Sequence, residues 1–489
     1  MTALYNTQGI RAMEDALVSQ QSVSMASLMQ QAGTAAWQVL IKHWPQCRTI
    51  AVCCGKGNNG GDGFVLARCA HEAGCSVIVH AMAAPEAMTG IAQEAALACQ
   101  ESGVDIQPYT SASKLDADVI VDAVLGIGCD RPLSEDYLSM VHAINRSSSP
   151  VLSIDIPTGL NADMGAVMSA AVEAQVTVTF LAKKSGLVTG AGPSHVGELM
   201  VEPLISLNSP IMPSARLMDA LSLETALPRR RRDTHKGDFG HVLVIGGDHG
   251  MGGAVRMAAE AAMRVGAGLV TVASRPEHVS IVTGARPEIM CCSVESVDDL
   301  LPLIERATVI VIGPGLGQSD WSKPLMDHVQ SSEKPLVVDA DGLNLLANEP
   351  HHNQRWILTP HPGEAGRLLE IPSTAVQADR FAAIQNIQRA YGGVVVLKGV
   401  GTIIQSASEL PVVCPAGNPG MASGGMGDVL SGILGGLLAQ GLTLAQAAEV
   451  GVMVHAMAAD CAAEQGGERG LLASDVLDQL RALVNPDAN

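Results

Sequence analysis

Two glycine-rich stretches in this 489-residue sequence carry side chains suited by type and spacing to chemistry. The first reads Gly55-Lys56-Gly57-Asn58-Asn59-Gly60-Gly61-Asp62-Gly63 and follows the apolar run Thr49 to Cys54. Gly55, Gly57 and Gly60 fit the G-x-G-x-x-G spacing between a strand and a helix, here expected from about Phe64 to Ala73. That spacing lets backbone approach a dinucleotide pyrophosphate. The acidic residue that would grip a ribose should end the next strand, but that strand ends at His80-Ala81, which argues against an ordinary dehydrogenase. Asn58, Asn59 and Asp62 also bring more polar side chains than phosphate binding requires. Asp62 is open to two readings, a helix cap or a ligand contact.

Two other strand ends would meet the same crevice in a parallel sheet. One is Asp122-Ala123-Val124-Leu125-Gly126-Ile127-Gly128, running on to Pro132; the other is Asp155-Ile156-Pro157-Thr158-Gly159-Leu160. Amide, carboxylate and hydroxyl oxygens converging there suit an alkali or alkaline-earth cation rather than zinc.

The second glycine stretch runs from Pro415 to Asp428 as Pro-Ala-Gly-Asn-Pro-Gly-Met-Ala-Ser-Gly-Gly-Met-Gly-Asp, ahead of an apolar helix expected over Val429 to Ala439. Stacked glycines expose N–H groups at a helix N-terminus, where the macrodipole favours an anion. Asp428 would sit in the first turn, placed to take a proton from a hydroxyl attacking a phosphoryl group.

The first set of motifs, completed by Ser153-Ile154-Asp155-Ile156-Pro157-Thr158-Gly159, resembles the NAD(P)H-hydrate epimerase family over roughly residues 1–213. The resemblance implies substrate contacts from Asn58, Asn59, Gly60, Gly61 and Asp62. It implies further contacts from Gly126, Ile127, Gly128, Cys129, Asp130, Arg131 and Pro132, and from Asp155. It also implies a potassium site at Asn59, Asp122 and Thr158, the last position often being Ser in that family. The substrates would be the hydrates of NADH and NADPH (NADHX and NADPHX), whose C6 hydroxyl leaves and returns on the other face of the ring. Asp155 fits the acid/base role and the support of the cationic intermediate. Lys184 is a weaker candidate, equally readable as a surface lysine.

The second set resembles the ribokinase-like superfamily over roughly Asp219 to Asn489. Lys398-Gly399-Val400-Gly401-Thr402 follows the run Val394 to Leu397 where that fold contacts nucleotide. His235-Lys236-Gly237 with Gly240, and Thr359 to Glu364, resemble its NAD(P)H-hydrate dehydratase branch. The resemblance implies substrate contacts at Ala254, Gly317, His361 and Asp428, and nucleotide contacts at Lys398, Gly399, Val400, Gly401, Thr402 and Gly427. His361 taken alone would be an ordinary loop histidine, and His455 reads as packing. ADP would phosphorylate the hydroxyl of the S hydrate, magnesium would bridge the phosphates, and elimination would restore NADH or NADPH with AMP and phosphate as products. The runner-up activity is a small-molecule kinase with a regulatory N-terminal half. A third reading is a dinucleotide sensor without turnover.

Positioning these residues requires many buried strands. The runs Thr49–Cys54, Val77–Ala81, Val119–Asp122, Val151–Asp155 and Val176–Leu181 form a first set. His241–Ile245, Leu269–Val272, Thr308–Ile312, Leu336–Asp339, Trp356–Thr359 and Val394–Leu397 form a second. Continuous apolar runs separated by Ala-rich helical stretches mean parallel sheets covered on both faces. The expected fold is therefore α/β, a Rossmann-like three-layer domain at 1–213 followed by a ribokinase-like domain at 219–489. The break between Pro203 and Asp233 contains Pro203, Pro210, Pro213 and Pro228 and ends in Arg229-Arg230-Arg231-Arg232, read as a solvated face.

A net charge of −19 excludes a protein that coats nucleic acid through a broad basic surface. Hydrophobic residues at 47% exclude disorder. No apolar stretch reaches membrane-spanning length, and Glu14-Asp15 stand where a signal peptide would be apolar. The 11 cysteines lack metal-ligand spacing and read as free thiols in a reducing cytoplasm. The expected partners are small molecules, with no nucleic acid and no membrane, and a homo-oligomer is expected.

Overall fold

The computed structural model describes all residues except 22, 207–209, 220–222, 224–225, 408 and 486–489. Two compact units emerge, Ala3–Ala215 and Arg216–Asn489, the latter joined by Met1–Thr2.

The first unit holds a parallel sheet in the order Asp105–Pro108, Ser76–Ala81, Thr49–Cys54, Val119–Ala123, Val151–Ile154, Val176–Phe180, Glu198–Glu202. Val119–Ala123 and Val176–Phe180 are buried at every position, the polar Asp122, Thr177 and Thr179 included, as befits inner strands of a parallel sheet. The chain moves outward from Thr49–Cys54 to Asp105–Pro108, then returns to the other side at Val119–Ala123. That reversal is the topological switch point, where the carboxyl ends of neighbouring strands open a crevice.

The helix after Thr49–Cys54 begins earlier than expected and spans Asn58–Glu72. Asn58, Asn59 and Asp62 therefore stand in its first turns rather than in a loop. Gly57 is the N-cap, without a side-chain bond, so Asp62 is not the cap. Gly60 is required by contact, since a Cβ there would lie 1.9 Å from the Gly55 carbonyl oxygen. Two strands stop one residue short of expectation because Asp155 and Leu181 turn into the left-handed region, each at φ 64°.

The second unit is built on strands ordered Ala215–Leu217, Val412–Val413, Ile403–Gln405, Val394–Leu397, Trp356–Leu358, Leu336–Val338, Val309–Ile312, His241–Ile245, Leu269–Ser274, Met290–Ser293. Ile403–Gln405 runs antiparallel to both of its neighbours, Val394–Leu397 and Val412–Val413. From Val394–Leu397 to Met290–Ser293 the sheet is parallel. Its switch point lies between His241–Ile245 and Val309–Ile312. The apolar helix spans Met426–Ala439 and packs against Gly252–Arg264 so closely that a Cβ on Gly432 would sit 2.0 Å from the Ala258 carbonyl oxygen.

The Pro-rich break was expected to contain no long strand, and the one found is short. Ala215–Leu217 buries Ala215 and Leu217, and Arg216 and Leu217 pair with Val412 and Val413. Residues 207–209, 220–222 and 224–225 of that break lie outside the described residues. In the basic run, Arg230 stacks on Phe239 and bonds Gly266 O and Gln440 Oε1, while Arg231 pairs with Asp233. No helix among the described residues is long and apolar enough to cross a membrane.

Candidate active sites

In the first unit a cavity of about 320 Å³ opens at the switch point. Its lining includes Asn58, Asn59, Asp62, Gly126, Ile127, Gly128, Asp155 and Lys184. Asp155 caps its strand in the left-handed conformation, with its N–H donating to Val178 O at 2.7 Å. A non-glycine residue held there is strained, a feature that clusters at functional sites. Its Oδ1 accepts from Lys184 Nζ at 2.5 Å. Lys184 also donates to Thr179 Oγ1 at 2.9 Å and Phe180 O at 2.8 Å, and its side chain is only 1% exposed. The surface-lysine reading is thereby overturned.

Gly126 marks the place where two loops converge. A Cβ there would lie 3.1 Å from Asp155 Oδ2 and 3.2 Å from Asn59 Oδ1. Both polar atoms of the Asn59 amide are buried without a protein partner. Leaving a buried polar group unpaired costs about 1–3 kcal/mol, so this amide keeps hydrogen-bonding capacity that no protein group meets.

Asp122 is fully buried and saturated with donors: Thr158 Oγ1 at 2.6 Å, Thr158 N at 2.8 Å, Ser153 Oγ at 2.9 Å and Val124 N at 3.3 Å. Burial raises its carboxyl above the ordinary value, and these hydrogen bonds pull against that rise. The Thr158 hydroxyl oxygen meanwhile accepts from Leu125 N at 2.9 Å. The structure thus joins Asp122 to Thr158 directly and leaves Asn59 as the member without a partner.

Gly60 and Gly61 are buried, Gly61 against Met29, and act through their backbone. Of the run from Gly126 to Pro132, only Gly126, Ile127 and Gly128 reach the cavity. Cys129 turns inward, its carbonyl accepting from Asn161 Nδ2, while Asp130, Arg131 and Pro132 lie exposed. Sequence reasoning missed the contribution of Ile10, Arg11 and Glu14 on helix Thr7–Gln21, and of Met25, Leu28, Met29 and Ala32 on Met25–His43. Burial, and then the Asp155 charge, lift the carboxyls of both Asp62 and Glu14. The available signal was faint: Glu14 is one helical turn from Arg11, on an ordinary amphipathic helix.

In the second unit the chemistry gathers around Asp428, in the first turn of Met426–Ala439. Burial and the nearby Asp339 charge push its carboxyl up to about 7, against the pull of Lys398. Asp339, 1% exposed at its side chain, accepts from Lys398 Nζ at 2.7 Å and from Ser431 Oγ at 2.7 Å. Burial alone would raise Asp339, but Lys398 and these bonds hold it below its ordinary value. Lys398 also lies 3.7 Å from Glu364 Oε2. Burial works to lower the Lys398 ammonium, and the acidic neighbours outweigh it and raise it. A Cβ on Gly427 would come within 3.2 Å of Lys398 Nζ, so glycine keeps the helix entrance open beside the ammonium.

Lys398 therefore faces the acid cluster, whereas the loop beyond it is fixed from behind. Arg380, buried and absent from the sequence reasoning, donates to the carbonyls of Leu397, Lys398 and Gly401 at 3.3–3.4 Å. Burial pulls its guanidinium down to about 10. Thr402 closes the turn through Oγ1 to Gly399 O at 2.9 Å, and Val400 is exposed.

His361 caps helix Pro362–Leu369: its Nδ1 accepts from Gly363 N and Glu364 N, and Glu364 Oε2 accepts from His361 N. Burial and then the Lys398 charge lower it, which favours the neutral ring that this cap needs. Its Nε2 is turned toward Glu364 Oε1 at 3.3 Å. A Cβ on Gly315 would touch Ala254, and Gly317, at φ 69°, donates its N–H to Asp341 Oδ2. His455 is buried, as packing requires, but its Nε2 lacks a partner, and burial followed by Lys398 pushes it down to about 4.

Comparison with known proteins places this geometry. The family model described as NAD(P)H-hydrate dehydratase matches residues 242–482, and that of the YjeF-related protein N-terminus matches 25–186. The bifunctional NAD(P)H-hydrate repair enzyme Nnr of Coxiella burnetii is 54% identical, across 99% of this chain and 100% of its own. The Escherichia coli enzyme of the same name is 42% identical, across 95% and 90%. Among solved structures, a ribokinase-like superfamily protein of Enterococcus faecalis is 29% identical with a TM-score of 0.53, covering 57% of this chain and 98% of its own. The ADP/ATP-dependent NAD(P)H-hydrate dehydratase of Bacillus subtilis, co-crystallised with ATP and Mg2+, is 27% identical with a TM-score of 0.51, across 56% and 98%.

Fold and sites define a two-unit α/β enzyme whose second unit is ribokinase-like. The chain belongs to the bifunctional NAD(P)H-hydrate repair enzymes, and the alternative of a small-molecule kinase with a regulatory half is not supported by these relatives.

Proposed function

We propose that the first unit, taken as residues 1–213, interconverts the R and S hydrates of NADH and NADPH, and that the second, 219–489, dehydrates the S form. One observation carries this reading furthest: a carboxylate poised near neutrality, Asp428, in the first turn of a glycine-fronted helix beside the Asp339–Lys398 pair. A base of that pKa can take the proton of a ring hydroxyl at physiological pH. The hydroxyl oxygen attacks the terminal phosphorus of ADP, AMP leaves, and the ring nitrogen then expels phosphate, restoring the dihydropyridine. Helix N–H groups behind Gly427 face the transferring phosphate. Lys398 balances its charge, and the turn closed by Thr402 with Gly399, Val400 and Gly401 receives the nucleotide. Magnesium carried with the nucleotide would neutralise the phosphate oxygens. Support for the donor comes from the ATP and Mg2+ named for the Bacillus subtilis relative.

In the first unit Asp155 serves as acid/base at C6, and Lys184 holds its carboxylate in place. The buried, unpartnered Asn59 amide favours a bound cation, with Asn59, Asp122 and Thr158 as the side chains that would hold potassium. Such a set, with one formal charge, suits a large monovalent ion completed by backbone carbonyls. A homo-oligomer and a cytoplasmic location complete the proposal; the free cysteines fit a reducing compartment.

Incubating the purified chain with mixed NADH hydrates and ADP tests it. NADH absorbance should return until both epimers are consumed, faster than they interconvert unaided. No recovery with either ADP or ATP would refute it.

A further inference from the structure

An epimerisation through a flat intermediate is served best by a proton donor on one face and an acceptor on the other, a division that a single acid/base does not provide at once. Asp155 and Lys184 supply one carboxylate at the carboxyl edge of the sheet. A second carboxyl reaches the same cavity from a different element. Helix Thr7–Gln21 precedes every strand of this sheet and contributes Ile10, Arg11 and Glu14 to the lining.

We propose that Glu14 is a second catalytic acid/base of the epimerase unit, acting from the first helix on the ring face turned away from Asp155. This rests on the reading of that unit as the epimerase. Glu14 is half-buried, so its carboxyl meets the cavity and still exchanges protons with water. The charged groups around it are Arg11 and Asp15 on its own helix, Asp62 on Asn58–Glu72, and the Asp155–Lys184 pair. Burial first, then the Asp155 charge, keep Glu14 protonated to higher pH than an ordinary glutamate. Asp155, receiving the Lys184 ammonium, is the acceptor.

The step balances without an added reagent. Glu14 gives its proton to the C6 hydroxyl, the C–O bond breaks, and water departs as the ring-nitrogen lone pair forms the iminium. A second water, losing its proton to Asp155, bonds to C6 from the other face, and the electron pair returns to nitrogen. One water leaves and one enters. The proton moved from Glu14 to Asp155 is restored through solvent, or by the same step in reverse.

The test is epimerisation of separated NADH hydrates by the full chain without nucleotide, followed by chromatography across pH. Glu14→Gln should lower kcat at least about 100-fold, with KM changed far less. It should also abolish the alkaline limb, which arises in the parent enzyme as Glu14 loses its proton. Glu14→Asp should recover part of kcat and keep that limb. Near-normal kcat in Glu14→Gln overturns the inference. So does a loss that leaves the alkaline limb in place, or one that Glu14→Asp shares in full. Asp155→Asn is run alongside. If it loses epimerisation while Glu14→Gln does not, the role of Glu14 alone fails; if neither loses it, the reading of the site fails.

Discussion

Asp428 carries two opposed demands. A base must be ionised to act, yet its surroundings hold it protonated to about pH 7. Dehydration should therefore climb with pH through about 7, as the carboxylate forms. Lys398 is the group that pulls this pKa down, so Lys398→Met should move the rising limb to higher pH, whatever it also does to the rate. Asp428→Asn should cut dehydration at least about 100-fold and spare ADP binding and epimerisation; calorimetric titration with ADP and the two rate assays check this. The same substitution should stabilise the fold. The folded pKa of about 7 lies above the ordinary 3.8, so stability is full at low pH and falls as pH rises between those values. The gain in melting temperature of Asp428→Asn over the parent should accordingly be larger at pH 8 than at pH 4. The place of Asp428 in the first turn of its helix was legible because a glycine run, an acid and an apolar helix are consecutive. Lys184 was legible only as a weaker candidate, and Arg380 and Glu14 not at all, because each takes its place from partners that only the fold brings near.

At the scale of elements, legibility followed burial. Thr49–Cys54, His241–Ile245 and Val394–Leu397 were read to the residue, as strands covered on both faces show unbroken apolar runs. Asp105–Pro108 and Glu198–Glu202 were not, being edge strands with polar, partly exposed residues. Ile403–Gln405 and Val412–Val413 were missed for brevity. Ala215–Leu217 was hidden by surrounding prolines, and it alters where the chain can be cut. A fragment starting at Asp219 lacks Arg216 and Leu217, and so leaves Val412–Val413 without its neighbour and an edge open. A fragment starting at Pro213 should melt higher, by about 2–4 °C for each kcal/mol of lost pairing in a unit of this size. Both should consume only the S hydrate. Equal melting of the two fragments would show that this strand adds nothing.

Across the whole molecule, the cation proposal predicts that damage can be confined to one activity. Asn59, Asp122 and Thr158 all lie in the unit Ala3–Ala215, whereas Asp339, Lys398 and Asp428 lie in Arg216–Asn489. The two candidate ligands best suited to mutation differ in what else they do. Asp122 accepts from Thr158, Ser153 and Val124, so Asp122→Ala strands buried donors and should lower both the stability of its unit and epimerisation. The Asn59 side-chain amide bonds to no protein group, so Asn59→Ala removes unpaired polar atoms and should leave the melting temperature unchanged or higher in potassium-free buffer. Potassium should then stabilise the parent unit and no longer stabilise the Asn59→Ala protein, because a ligand that binds only the folded state raises its stability. Epimerisation should fall in both variants, while ADP-dependent dehydration of pure S hydrate continues at the parental rate. Replacing potassium by a bulky organic cation should reproduce the epimerase loss in the unmutated chain. Differential scanning calorimetry with and without potassium, beside the two separate assays, distinguishes a cation ligand from a substrate contact. If Asn59→Ala lost epimerisation but kept its thermal response to potassium, Asn59 would be assigned to the substrate and the ion to another place.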